Sequence, residues 1–162
     1  MKRYRKKGVL VDTNLFVIFL VGQYDRRQLA NCRATKAFET GDFELLDRFL
    51  GNFQRLVTTH HILTEVSNLA GKLPESQHIP FRQFLAGVIA TLTEEFRAAI
   101  GISREADFPR LGITDTAISL VSSKEYLVLT DELALYGSLA KRGVDVVNFN
   151  HIRLWHWLGR PS

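Results

Sequence analysis

The sequence predicts an α/β fold with a central, mainly parallel β-sheet flanked by helices. Three observations predict it. Short aliphatic runs, such as Val9–Val11 (VLV) and Tyr126–Leu129 (YLVL), alternate with longer stretches of helical periodicity. The 162 residues hold four prolines and no repeat, low-complexity tract or Pro/Gly/Ser linker, which fits one domain with its own core. Two of the strands lead into acidic residues, one directly and one after Thr130, at the edge where parallel sheets bind ligands.

The elements follow in order. Val9–Val11 is a short buried strand, stopped by Asp12, Thr13 and Asn14. Leu15–Val21 is apolar enough to begin a buried helix. Asp25–Phe38 and Phe43–Phe49 carry amphipathic helical spacing, with Gly41 and Asp42 as the break between them. Arg55–Thr59 (RLVTT) is a second strand and Ile62–Leu69 the helix after it, with Gly71 as its stop. Pro80 and Phe81 open a long helix through about Ile100: proline suits a first turn, and Phe84, Leu85, Val88, Ile89, Leu92 and Phe96 recur at helical spacing. Gly101–Gly112 reads as a loop, and Thr114 as the cap of a helix from Asp115 to about Ser122. Tyr126–Leu129 is the third strand, Leu133–Arg142 a helix ending at Gly143, and Val144–Phe149 (VDVVNF) the fourth strand.

Composition narrows the class. With 46% hydrophobic and 23% charged residues, global disorder is excluded. The single cysteine, Cys32, excludes an intrachain disulfide and a cysteine-based zinc site, and fits a reducing, cytoplasmic compartment. The basic start followed by apolar residues imitates a secretory signal. However, Asp12 and Asn14 interrupt the apolar stretch, the run Leu15–Val21 is short, and no small-residue cleavage site follows. The expectation is a soluble, unprocessed protein with no membrane span. Net charge is +4, of which Lys2, Arg3, Arg5, Lys6 and Lys7 supply five; +4 less five leaves −1 on the remainder. Residues 1–7 therefore form a basic segment that suits RNA phosphates, with Tyr4 stacking on a base, or else a frayed, solvated end.

The acids carry the functional signal. Asp12 follows the first strand, and Asp131 and Glu132 follow the third. Glu65 lies within the apolar helix Ile62–Leu69, and Asp115 opens the apolar stretch Asp115–Val121. A carboxylate amid apolar surface is costly to bury unless it is paired or holds a cation. Brought together, such carboxylates repel and some stay protonated. A divalent cation relieves the repulsion, and Mg²⁺ and Mn²⁺ favour hard oxygen ligands. Such an ion lowers the pKa of bound water and stabilises charge on a phosphoryl group, so no serine, cysteine or histidine nucleophile is required. Taken singly, Asp12 also suits the cap of the helix after it, and Asp115 the same role beside Thr114.

In order along the chain, Val9–Asn14 (VLVDTN), Ile62–Val66 (ILTEV), Gly112–Ile118 (GITDTAI) and Leu127–Leu133 (LVLTDEL) resemble the acidic motifs of PIN-domain ribonucleases. Lys141–Phe149 (KRGVDVVNF) resembles that family's final glycine and strand. The resemblance implies a PIN-like three-layer fold over residues 8–150, between the basic segment 1–7 and a tail, 151–162, packed on the domain. It further implies a Mg²⁺- or Mn²⁺-dependent acidic pocket that hydrolyses phosphodiester bonds of single-stranded RNA. Asp12, Glu65 and Asp115 match the first three family acids. The fourth falls on Asp131 or Glu132; Asp131 is preferred as the first residue beyond the strand, with the shorter arm. All five would stand at the metal. Thr13, Asn14 and Thr130 would orient carboxylates or water, or serve as caps and turn residues.

The setting that the resemblance implies is a VapC-like toxin, with a cognate antitoxin covering the pocket and a homodimer as the default assembly. Small toxin-type members are shorter between the first two acids. Residues 22–54 and 80–111 are therefore extra material, suited to an antitoxin groove, a dimer surface or a substrate wall. Two other readings are a catalytically silent PIN-like module that binds RNA or protein, and a metal-dependent DNA nuclease. The complete acid set favours the enzyme, because each buried acid costs free energy without a cation.

Other residues have plainer expectations. His60 and His61 read as a polar helix start, with His61 on the face of Glu65 and so within reach of a metal role. His151 and His156 have no acidic or cysteine partner nearby in sequence. Trp155 and Trp157 are expected to pack the tail down. Arg26, Arg27, Arg104 and Arg110 are scattered phosphate-contact candidates, and Cys32 is expected to be inert.

Overall fold

In the computed structural model, which describes residues 3–32, 35, 38–70, 72–122 and 125–159, five strands form one sheet. They are β1 (Val9–Val11), β2 (Leu56–Thr59), β3 (Thr93–Glu95), β4 (Leu127–Thr130) and β5 (Val146–Asn148). Their order is β3-β2-β1-β4-β5, and every neighbouring pair is parallel. The helices are α1 (Tyr4–Lys7), α2 (Thr13–Tyr24), α3 (Gln28–Asn31), α4 (Thr40–Leu50), α5 (His60–Ala70), α6 (His78–Ile89), α7 (Ala99–Ile102), α8 (Phe108–Val121), α9 (Leu133–Lys141) and α10 (Phe149–Leu158). This is the expected α/β architecture, a central sheet flanked by helices, consistent with a three-layer PIN-like fold.

The core explains the order. β1 is apolar at every position and fully buried, as a middle strand with parallel neighbours on both sides must be. The helix it feeds, α2, is buried almost throughout, from Leu15 to Gly22, and packs on α4 and α5. Gly22 permits that approach. The buried Phe43 ring of α4 occupies the space a Cβ there would take.

The strand registers align the polar ends of the sheet. Leu10 pairs with Val57, Val11 with Leu129, Thr59 with Glu95 and Thr130 with Asn148. Carried one or two residues on, these registers set Glu95, Thr59, Asp12, Thr130 and Asn148 in one row at the carboxyl edge. The Asp12 N–H donates to the Leu129 carbonyl at 3.0 Å, which anchors the middle of the row.

Several elements differ from the sequence expectation. The helix from Pro80 ends at Ile89, and residues 93–95 form the edge strand β3. Segment 80–111 therefore completes the sheet. Leu92 and Phe96 match helical spacing by coincidence: Leu92 packs on the core, whereas Phe96 is 67% exposed. Within the expected loop Gly101–Gly112, α7 ends at Ile102 and α8 begins at Phe108. Gly112, non-helical at φ +75°, divides α8 into two parts, so the second part begins close to where the sequence expects a helix, with Thr114 in its first turn and not at its cap. Over Asp25–Phe38 the regular helix is α3 alone, with 33, 34, 36 and 37 outside the described residues. Gly41 and Asp42 lie in the first turn of α4, where the Asp42 carboxylate accepts from the Glu39 N–H, rather than breaking a helix. The expected stop at Gly71 lies outside the described residues.

The termini differ too. Residues 4–7 form α1, not a frayed end, and Tyr4 is buried with its hydroxyl donating to Asp145, so it offers no ring to a base. Arg3 also pairs with Asp145, while Lys2 lies outside the described residues. This segment precedes β1, and Asp145 precedes β5, so the basic charge sits at the amino edge of the sheet. At the other terminus, Phe149 is buried and Arg153 makes two bonds to buried Asp42. Trp155 is 81% exposed and does not pack the tail down, whereas Trp157 lies against Gly41. Among the described residues no helix is long and apolar enough to cross a membrane.

Candidate active site

Asp12 ends β1 and uses both carboxylate oxygens. Oδ1 accepts from the Leu15 N–H at 3.2 Å, capping α2, and Oδ2 accepts from the Asp131 N–H at 3.0 Å. The cap reading therefore holds, and the same side chain also ties the end of β1 to the end of β4. Burial, followed by the Asp131 charge, raises the Asp12 carboxyl well above the usual range, against the lowering effect of its hydrogen bonds.

Glu65 stands on α5. Its Oε2 accepts from the Thr13 hydroxyl at 2.9 Å, and its Oε1 from the Thr114 hydroxyl at 2.5 Å. One carboxylate thus links the start of α2, the middle of α5 and the kinked part of α8. Asp115 follows Thr114 and is pushed up to about 7, by burial first and then by the charges of Glu132, Glu65 and Asp131.

Asp12, Thr13, Asn14, Glu65, Asp115 and Glu132 line one small cleft of about 60 Å³. Asn14 donates to Glu132 at 3.4 Å. Between the two candidates for the fourth acid, Glu132 faces this cleft and Asp131 does not line it. Asp131 acts on it through its backbone N–H and its charge, and its Oδ1 is buried with no hydrogen-bond partner among the described residues. The buried Thr130 hydroxyl accepts from the Glu132 N–H at 3.0 Å and fixes the turn.

Hard oxygen donors and mutual repulsion make the set suitable for a divalent cation. The described residues hold no ready-made cluster of three Asp, Glu, His or Cys ligands. Mg²⁺ needs none: it is commonly held by one or two carboxylates and keeps several waters. Asp12 and Asp115 would hold it, with Glu65 and Glu132 beside them, in a space that admits an ion and little more.

Two contributors went unread in the sequence. Thr114 reads in the sequence as a cap, whereas its hydroxyl donates to Glu65 from just beyond the break at Gly112. Asn150, whose Nδ2 donates to the Asp131 carbonyl at 3.0 Å, steadies the acid-bearing turn from α10 and carries no local signal. Among the other candidates, His60 and His61 do begin α5, and burial leads the causes that lower the His61 pKa. Arg26 lies over the Phe43 ring, Arg27 pairs with Asp25, Arg110 pairs with Asp107, and Cys32 is buried. No family model, curated protein or solved structure matches the chain.

Proposed function

We propose that this chain is a Mg²⁺- or Mn²⁺-dependent endoribonuclease of PIN type that hydrolyses phosphodiester bonds of single-stranded RNA. The observation that carries the reading is convergence. Asp12, Glu65, Asp115 and Glu132 come from four separate elements to one cleft, at the edge where a parallel sheet binds ligands. A structural role would not require Asp115 to be buried beside Glu132, Glu65 and Asp131, where burial first and then their charges push it up to about 7. Asp12 is fixed by two backbone N–H groups and Glu65 by two threonine hydroxyls, while exposed Glu132 accepts one long bond from Asn14. Such fixed carboxylates are pre-set for a cation and cost little reorganisation when it binds. When bound, the ion would supply positive charge to the phosphate and a more acidic water.

The resemblance to VapC-like toxins adds a proposed setting: an antitoxin that covers the cleft, a homodimer, and a cytoplasmic site of action.

The deciding experiment is cleavage of single-stranded and structured RNAs with Mn²⁺, with Mg²⁺ and with EDTA, beside Asp12→Asn. Metal-dependent cutting that the variant loses is expected. Equal cutting by Asp12→Asn would overturn the assignment. A wild-type protein that neither cuts RNA nor binds metal by calorimetry would return the chain to the silent binding module.

A further inference from the structure

We infer that Phe96, stacked on His60, is a platform for an unpaired base of the nucleic acid held at the acidic cleft; this rests on the nuclease reading above. Phe96 follows β3 and His60 follows β2, and the register Thr59–Glu95 sets the two side by side at the carboxyl edge. Their rings lie 4.8 Å apart and 23° from parallel, and His61 backs His60 at 3.8 Å. Phe96 is nevertheless 67% exposed, and Ile100 beyond it 65%. A ring already ordered on one side and open to water on the other binds a flat ligand with little loss of side-chain freedom.

The place of this platform points to its occupant. β3 is two strands from β1, so Phe96 stands about 10 Å along the sheet edge from Asp12. On the other side of the acids, α8 and α9 border a cleft of about 660 Å³ lined by Arg110, Lys141 and Arg142, three cations that share one carboxylate, Asp107, with which Arg110 and Arg142 pair, among the described residues. Its Leu133 directly follows Glu132. A ligand laid across the carboxyl edge therefore meets an aromatic face and then the acids, and past Leu133 it enters a cleft whose Lys141 and Arg142 lie at the far end of α9, towards the amino edge. A single-stranded polynucleotide matches that series, with a base for the ring and phosphates for the cations. A duplex does not, because its base faces are already stacked.

The test uses the full chain, Mn²⁺ and an RNA of about 12 nucleotides. kcat and KM are read separately for wild type, Phe96→Ala, Phe96→Tyr and Arg110→Ala. Phe96→Ala should raise KM about tenfold and leave kcat unchanged, and Phe96→Tyr should restore KM. Arg110→Ala should raise KM and flatten its salt dependence. Because Phe96 is exposed, the melting temperature of Phe96→Ala should match wild type. Wild-type KM in Phe96→Ala, with cutting intact, overturns the platform alone and makes Phe96 a protein-docking side chain. A KM that Phe96→Tyr fails to restore also overturns it. A wild-type protein that cuts no RNA overturns the nuclease reading and the platform together.

Discussion

Asp115 keeps its proton to about pH 7 because burial and the carboxylates of Glu132, Glu65 and Asp131 all oppose its charge. Its unfolded value is the ordinary 3.8, so between the two values the folded chain binds more protons than the unfolded one. Stability from this residue is therefore greatest below about pH 4 and is lost as pH rises to about 7. Asp12 is shifted the same way and adds to the trend. Thermal melts of metal-free protein should show a falling melting temperature from about pH 5 to about pH 8, with a shallower fall in Asp115→Asn. An equal slope in the variant would show that Asp115 is not the proton-holding group. The two acids after β4 separate at the same scale. Glu132 lines the cleft, whereas Asp131 contributes charge and a backbone bond. Glu132→Gln should cut cleavage by about tenfold or more. Asp131→Asn should mainly raise metal-free stability by relieving Asp12. Equal, small losses of activity in both would mean that neither is the fourth acid.

Two contacts between elements hold the scaffold behind the site. Gly22→Ala would force its new methyl into the Phe43 ring where α2 crosses α4. Overpacking of this kind costs about 1–3 kcal/mol, a drop of roughly 2–12 °C in melting temperature at this chain length. An unshifted melt would mean that the two helices slide apart freely. Arg153 of α10 grips buried Asp42 of α4 through Nε at 2.7 Å and Nη2 at 2.8 Å, and its Nη1 reaches Asn150 at 3.2 Å. Since Asn150 holds the Asp131 carbonyl, α10 braces the acid-bearing turn against α4. Arg153→Ala strands a buried carboxylate and should cost about 3–5 kcal/mol, with Arg153→Lys recovering only part because it cannot make the paired contact. Denaturant melts read both.

Element legibility follows from the same physics. β1, β2, β4 and β5 were readable because each carries an apolar run. β3 (TEE) has none, and it is a strand only because the open edge of β2 supplies its partners.

For the whole molecule, the acids were legible because a parallel sheet directs attention to the ends of its strands, and Asp12, Asp131 and Glu132 lie there in the sequence itself. The side chains that set their geometry were not, since Thr114 and Asn150 reach the site only after α8 kinks and α10 docks. The result is a fold that gathers like charges in a cleft of about 60 Å³ and stays strained against itself without a cation. That strain makes a global prediction. A cation that binds only the folded chain stabilises it by mass action, by about 2.7 kcal/mol at a hundredfold excess over its dissociation constant. At this length the gain is roughly 5–10 °C in melting temperature. Because protons compete for the same oxygens, the gain with Mn²⁺ should be larger at about pH 8 than at about pH 5. Asp12→Asn should abolish most of it, and in EDTA the relief of repulsion is offset because the amide can accept from only one of the two N–H groups that Asp12 holds. A rise with Mn²⁺ that is the same at both pH values and survives in Asp12→Asn would place the cation elsewhere on the surface and remove the physical reason for the acids to converge.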